Sequence, residues 1–184
     1  MALPERLGGL DGGLPDLAVV VEQCGRALMP AAVTGVSGAA WVLARHAPDH
    51  DLLPALAAGG AVPVWSLHQP GETGALRARV AGGAVTVRGT RRHVADAPAA
   101  SHLLLDAEGP DGTVLAVVPT DAPGVTRRTE HTLDLTRRYQ EVVLDGVVIP
   151  ESALLPAGAV GQLARAGWCC SARRVSVSRP GHWR

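Results

Sequence analysis

The chain contains no lysine and no phenylalanine, and all 17 of its basic residues are arginine. Arginine, alanine, glycine and proline have G/C-rich codons, whereas lysine and phenylalanine have A/T-rich ones, so the composition reads as that of a very G/C-rich gene. Net charge is also missing: 17 acidic residues balance the 17 basic ones, and the pI is about 7.1. Binding a polyanion requires several phosphate-neutralising side chains on one surface, and no basic stripe precedes the tail, so no nucleic-acid partner is expected. Apolar runs such as Leu17 to Val21 are far short of the ~20 residues that cross a bilayer. The N-terminus lacks the basic-then-apolar pattern of a signal peptide, and a cytoplasmic protein with no membrane span is expected. The cysteines, Cys24, Cys169 and Cys170, show no Cys-x-x-Cys spacing, so neither a zinc site nor a disulfide framework is indicated. The scattered histidines read as surface or core residues rather than metal ligands.

What is present is enough apolar material, 47% of 184 residues, to bury a core in one or two domains. After the glycine-rich stretch Leu7 to Gly13, Asp16 can cap a helix, and Leu17, Val20, Val21, Cys24 and Leu28 recur on one helical face. Glu22 and Arg26 would pair across one turn of its solvated side, and Pro30 would close it. Ala39 to Arg45 and Asp51 to Ala58 read as two further short helices. From Val62 to Ile149 the pattern is strand and turn. Leu76 to Val80 and Val85 to Arg88 alternate apolar with polar residues around Gly82-Gly83, a hairpin signature. Ser101 to Leu105 and Val114 to Pro119 read as buried strands, and Asp145-Gly146 as a tight turn between Glu141 to Leu144 and Val147 to Ile149. Helices followed by strands predict an α+β fold, N-terminal helices and then an antiparallel β-barrel-like domain. A site is expected between Trp65 and Leu105, where the turns around Gln69 and Ala95 would present backbone groups at strand ends.

Taken together, these residues resemble the acyl-CoA dehydrogenase family. Pro4-Glu5-Arg6-Leu7-Gly8-Gly9-Leu10 and the helix from Asp16 to Leu28 are similar to that family's proline-glutamate-x-x-glycine-glycine loop and following helix. Gly89-Thr90-Arg91-Arg92-His93-Val94-Ala95-Asp96-Ala97 stands where the family has glycine-x-lysine-x-tryptophan-isoleucine-threonine-asparagine-alanine. Val142 to Pro150 resembles its closing middle-domain strand. The resemblance implies a flavoprotein of lipid and fatty-acid metabolism in which FAD accepts a hydride from the β-carbon of an acyl-CoA thioester while a glutamate removes the α-proton. Carried over by position, it places Ser66, Leu67 and His68 along the pyrimidine edge of the flavin and His93, Val94 and Ala95 near its other side. Two departures stand out. His68-Gln69-Pro70 replaces threonine-glutamate-proline, and Ala95 replaces the flavin-facing threonine.

By the same resemblance, residues 1–60 correspond to part of an N-terminal helical domain, 61–158 to the middle β domain and 159–184 to an atypical tail. The chain is expected to lack the first helices and the C-terminal four-helix bundle with its catalytic glutamate, so no catalytic residue is assigned. Glu141 and Glu151 read as solvated strand-edge residues. Within Gly161 to Arg184, Trp168 to Ser176 shows no helical periodicity, the last twenty residues hold five arginines, and two tryptophans have nothing nearby to bury them. It reads either as a basic interaction tail or as a frame-shifted continuation, because another frame of G/C-rich codons over Gly167 to Arg184 yields an amphipathic helix. An oxidoreductase of this kind, impaired as it stands, is the leading expectation. The rivals are a non-catalytic partner subunit sharing a flavin site with a full-length paralogue, and an unrelated β-rich binding domain. A homo- or hetero-oligomer is expected from apolar surface left without a bundle, with Val142, Val147 and Ile149 as candidates for it.

Overall fold

The computed structural model describes residues 2–27, 29, 32–69, 71–72, 74–133 and 137–176. Helices α1 (Leu14–Arg26), α2 (Ala32–His46) and α3 (Leu52–Ala57) come first. Strands β1 (Pro63–Ser66), β2 (Leu76–Ala81), β3 (Ala84–Ala95), β4 (His102–Gly109), β5 (Gly112–Pro119), β6 (Val125–Glu130), β7 (Tyr139–Pro150) and β8 (Leu154–Leu155) follow, and then helix α4 (Ala157–Ser176). The α+β order matches expectation, and among the described residues a single helix follows the sheet.

Asp16 acts as a cap from inside the first turn of α1, where its Oδ2 accepts the Gly13 N–H at 2.8 Å. Leu17 and Val21 are buried, and Glu22 pairs with Arg26 at 3.0 Å. The expected contribution of Leu28 and the stop at Pro30 lie outside the described residues. Helix α2 starts seven residues before the expected Ala39, because its first turns contain Thr34, Gly35 and Gly38, poor helix formers held by packing rather than propensity.

The strands form one sheet in the order β6-β7-β3-β2-β4-β5-β8, with β1 also on β4. It is mixed rather than purely antiparallel. Strands β1 and β2 both run parallel to β4, β1 against His102 to Leu105 and β2 against Ala107 and Glu108. Both lie along the same neighbour, and the described residues between them belong to neither strand. The β2–β3 hairpin turns at Gly82 and Gly83 with φ of 59° and 78°, the left-handed pair that a tight two-residue turn requires.

Asp145-Gly146 does not turn the chain. Strand β7 runs through it, pairing with β3 on both sides, and the register shift there marks a bulge with Gly146 at φ 68°. Pairing with the long β3 satisfies more backbone groups than a two-residue hairpin would. Arg88 closes over the bulge, pairing with Asp145 at 2.8 Å, and a Cβ on Gly146 would meet its Nη2 at 2.7 Å. Val142, Val147 and Ile149, candidates for exposed apolar surface only if their faces pointed outward, are buried. Strand β6, which the sequence pattern did not reveal, is an edge strand with few apolar residues.

Helix α4 corrects the reading of the tail as non-helical. Ala159, Leu163, Ala166 and Cys170 are buried at helical spacing, but their small side chains hide the period in a hydropathy pattern. Burial pushes the Cys170 thiol up to about 11, which keeps it protonated and unreactive. Trp168 is 82% exposed, as expected for a residue with nothing nearby to cover it; Trp183 lies outside the described residues. Trp65 of β1 is wedged between Gly38 of α2 and Gly167 of α4, where an added Cβ would lie 3.5 Å from its Nε1 and 2.3 Å from its Cη2 respectively.

Two predictions follow from this packing. Gly167→Ala overpacks the helix–sheet seam, and thermal melting should show a loss of about 1–3 kcal/mol, whereas Gly161→Ala, with no backbone or core atom within reach, should cost nothing measurable. His50 and His102 are both held below the ordinary value of 6.5, mainly by burial; Asp51 opposes the shift at His50, and at His102 the neighbouring His50 adds to it while Asp121 opposes it. Below 6.5 the unfolded chain then binds more protons than the folded one, so stability is full above that pH and falls as pH drops toward the folded-state values. Urea midpoints between pH 8 and 5 should fall with acidification, less so in His50→Gln/His102→Gln; equal slopes would refute the assignment.

Candidate functional site

The loop between β1 and β2 is tied down by one buried cation. Arg91 of β3, only 2% exposed, donates from Nη2 to the Asp106 carboxylate at 2.8 Å and to the Asp106 carbonyl at 2.9 Å. The same Asp106 oxygen accepts the His68 N–H at 2.8 Å. Across the loop, Glu72 accepts the Gln69 N–H at 3.0 Å and lies 3.6 Å from His68 Nδ1 and 3.8 Å from Arg91 Nη1. A guanidinium out of water is costly unless paired and hydrogen-bonded; here Nη2 makes both hydrogen bonds, Glu72 lies near Nη1, and Nε and Nη1 find no hydrogen-bond partner among the described residues.

Just beyond Arg91, β3 bulges. His93 adopts φ 55° in the register shift between Arg91 and Val94. Glu130 at the end of β6 holds the bulge, one oxygen accepting the His93 N–H at 2.8 Å and lying 3.1 Å from its Nδ1, the other accepting Arg92 Nε at 3.2 Å. Strand β3 ends at Asp96, also left-handed at φ 58°. The expected turn from Arg91 to Ala97 is thus a bulged strand with the turn only at its end.

Between this bulge, the loop and the start of α2 lies a cavity of about 270 Å³. Ser66, Leu67, His93 and Ala95 line it, along with Thr34, Gly35, Gln69, Glu72, Arg92, Asp96 and Arg137. His68 instead lines an adjoining cavity of about 200 Å³ with Arg91 and Thr90, and Glu72, Arg92 and His93 border both. Val94 is fully buried and points into the core between its two cavity-lining neighbours. Pro70 lies outside the described residues. Glu141 sits between Arg92 and Arg128 at 3.9 and 3.7 Å, away from the cavity lining, and Glu151 is exposed.

Sequence reading missed Arg91, Asp106 and Glu130. For Arg91 a signal existed, since Val85, Val87 and Arg91 share the inward parity of β3. The bulge at Arg92-His93 then resets that parity so that Val94 is inward. Asp106→Ala should cost about 3–5 kcal/mol in urea denaturation, because it leaves the buried Arg91 short of its nearest counter-charge. Arg91→Met/Asp106→Leu should cost clearly less than Asp106→Ala alone, and equal losses would show that the ion pair does not organise the loop.

No family model matches the sequence. Over 63 residues, 34% of this chain and 20% of the relative, it is 43% identical to the acyl-CoA dehydrogenase IpdE2 of Mycobacterium tuberculosis. Among solved structures, a variant of the Tcur3481-Tcur3483 steroid ACAD is 30% identical and superposes with a TM-score of 0.84 over 94% of this chain and 48% of that one. The ChsE4-ChsE5 complex of Mycobacterium tuberculosis is 24% identical, with a TM-score of 0.83 over 94% of this chain and 48% of its own. A glutaryl-CoA dehydrogenase of Mycobacterium smegmatis in complex with FADH2 is 21% identical, with a TM-score of 0.64 over 92% and 64%. The chain spans about half the length of the first two solved structures and a fifth of the curated relative. In fold along nearly all its length, and in sequence along part of it, the chain is similar to acyl-CoA dehydrogenases.

Proposed function

We propose that this chain is an acyl-CoA dehydrogenase-like flavoprotein, taking part in FAD-dependent α,β-dehydrogenation of an acyl-CoA thioester. The observation that supports this most is the convergence of Ser66, Leu67, His93 and Ala95 on one cavity, within a fold shared with acyl-CoA dehydrogenases. The cavity suits the flat end of such a cofactor. Strand β1 leaves the sheet at Ser66, so the backbone there is presented at a strand end, and the Ala95 methyl and the His93 ring border the space from β3. When bound, FAD supplies the hydride acceptor. The chain's own contribution is to hold the β1–β2 loop through Arg91 and the β3 bulge through Glu130, so that both walls keep their positions.

A proton must also leave the α-carbon, which requires a carboxylate within hydrogen-bond reach in a desolvated site. Glu72 and Asp96 are the carboxylates lining the cavity among the described residues. Glu72 is engaged by Gln69, His68 and Arg91, and Asp96 sits on the turn that ends β3, so neither is assigned as the base. This favours a second reading, a non-catalytic subunit that shares a flavin site with a base-bearing paralogue in a hetero-oligomer. The ChsE4-ChsE5 assembly shows that a protein of this fold can exist as a complex of two components.

Purified protein incubated with FAD and passed through gel filtration should retain flavin absorbance. Ala95→Trp, which fills the cavity, should weaken binding by more than about tenfold, or 1.4 kcal/mol. A folded chain that keeps no flavin, alone or with a co-expressed paralogue, would overturn both readings. Retention only in the paralogue's presence would select the shared-site reading.

A further inference from the structure

A third cavity, of about 600 Å³, shares no lining residue with the two at Glu72 and His93. It opens between the α2–α3 connection and the ends of β4, β5 and β7. Leu52, Val117 and Ala153 give it a buried apolar floor, and His50 and His102 face it from different elements, with His46 and Ser152 also on its lining. Its volume falls in the range of small-molecule sites, roughly 300–1,000 Å³.

A backbone hydrogen bond determines which ring nitrogen of His50 carries the proton. The Leu52 N–H donates to His50 Nδ1 at 3.1 Å, so in the neutral ring the proton is on Nε2. Ser101 Oγ already accepts the Val62 N–H at 2.9 Å and lies 3.1 Å from His102 Nδ1. The Ser101 hydroxyl can donate its own hydrogen to Nδ1, the arrangement in which the imidazole proton is on Nε2. Burial holds both rings toward the neutral form. The cavity therefore offers two neutral N–H donors for which the described residues provide no acceptor.

The charges on its rim select the ligand. Asp49 and Asp51 line the mouth and, among the described residues, no arginine does, the nearby Arg6 being engaged by the Pro48 carbonyl, so an anion would meet two carboxylates. A neutral oxygen acceptor is not repelled by them and can accept from the imidazole N–H groups. His46 and His50 are four residues apart, a spacing passed over in the sequence reading, but α2 ends at His46 and Pro48 intervenes, so they do not share a helix face. No cluster of three metal-ligating side chains is found among the described residues. We propose that this cavity binds a neutral, largely apolar molecule through a ketone or ester carbonyl oxygen that accepts from Nε2–H of His50 and His102.

The test is titration of the protein at pH 7.5 with 2-adamantanone, read from the imidazole nitrogen signals of His50 and His102 in ¹⁵N NMR. Both signals should shift saturably, and adamantane-1-carboxylate, of similar shape but charged, should bind at least about tenfold more weakly. His102→Phe keeps the ring shape without the donor and should weaken ketone binding about tenfold, an increment of 1.4 kcal/mol. Ala55→Trp, on the cavity wall at α3, should abolish it, and this variant decides the matter if His102→Phe fails to fold. Absence of a saturable shift, equal binding of the carboxylate, or binding unchanged in folded Ala55→Trp would each overturn the proposal.

Discussion

The buried ion pair between Arg91 and Asp106 is the constraint on which the candidate site depends. It joins three segments that are distant in sequence: the centre of β3, the end of β4 and, through the His68 N–H on the same carboxylate oxygen, the loop between β1 and β2. Without it, His68 would lose the acceptor of its N–H and Glu72 the cation beside it. A buried pair of this kind contributes little net stability over an apolar replacement, but removing one partner alone is costly. Its consequence here is geometric, since it fixes one wall of the cavity relative to the other.

The two bulges in the β3–β7 ladder serve the same end in opposite strands. Near Gly146 the extra residue is on β7, and near His93 it is on β3. Each adds a left-handed residue and each is closed by a charged clamp, Arg88 on Asp145 in one case and Glu130 on Arg92 and His93 in the other. A strand bulged in this way twists more strongly and re-aims its side chains. That is how β3 brings His93 and Ala95 to the cavity while Val94, between them, stays in the core. The energy of the left-handed His93 is offset by a carboxylate that would otherwise lack so many donors.

The helices contribute the third wall through contacts between small residues. Trp65 occupies the seam between α2 and α4 because Gly38 and Gly167 leave room for its ring. Thr34 and Gly35 at the start of α2 thereby reach the cavity next to Ser66 and Leu67. This packing explains why two helices with weak hydropathic patterns are nonetheless continuous: the selection at these positions is for closeness of approach, and glycine and alanine allow it at the expense of propensity.

Though not for β6 or α4, local chemistry in the sequence was sufficient for helices followed by strands, the Gly82-Gly83 hairpin and the Glu22–Arg26 pair. Each of these depends on residues within a few positions of one another, where period, φ preference and side-chain reach are readable directly. Four of the six residues assigned to cofactor contact by resemblance line one cavity, with His68 in the adjoining one and Val94 in the core. Tertiary structure alone decided that Asp145-Gly146 is a bulge and not a turn, because the competing partner strand β3 lies more than fifty residues away in the chain. It likewise decided that Arg91 is buried, since an arginine goes inside only where a carboxylate such as Asp106 is brought to meet it, and that α4 is helical, since its period is written in residues too small to register until another helix packs against them.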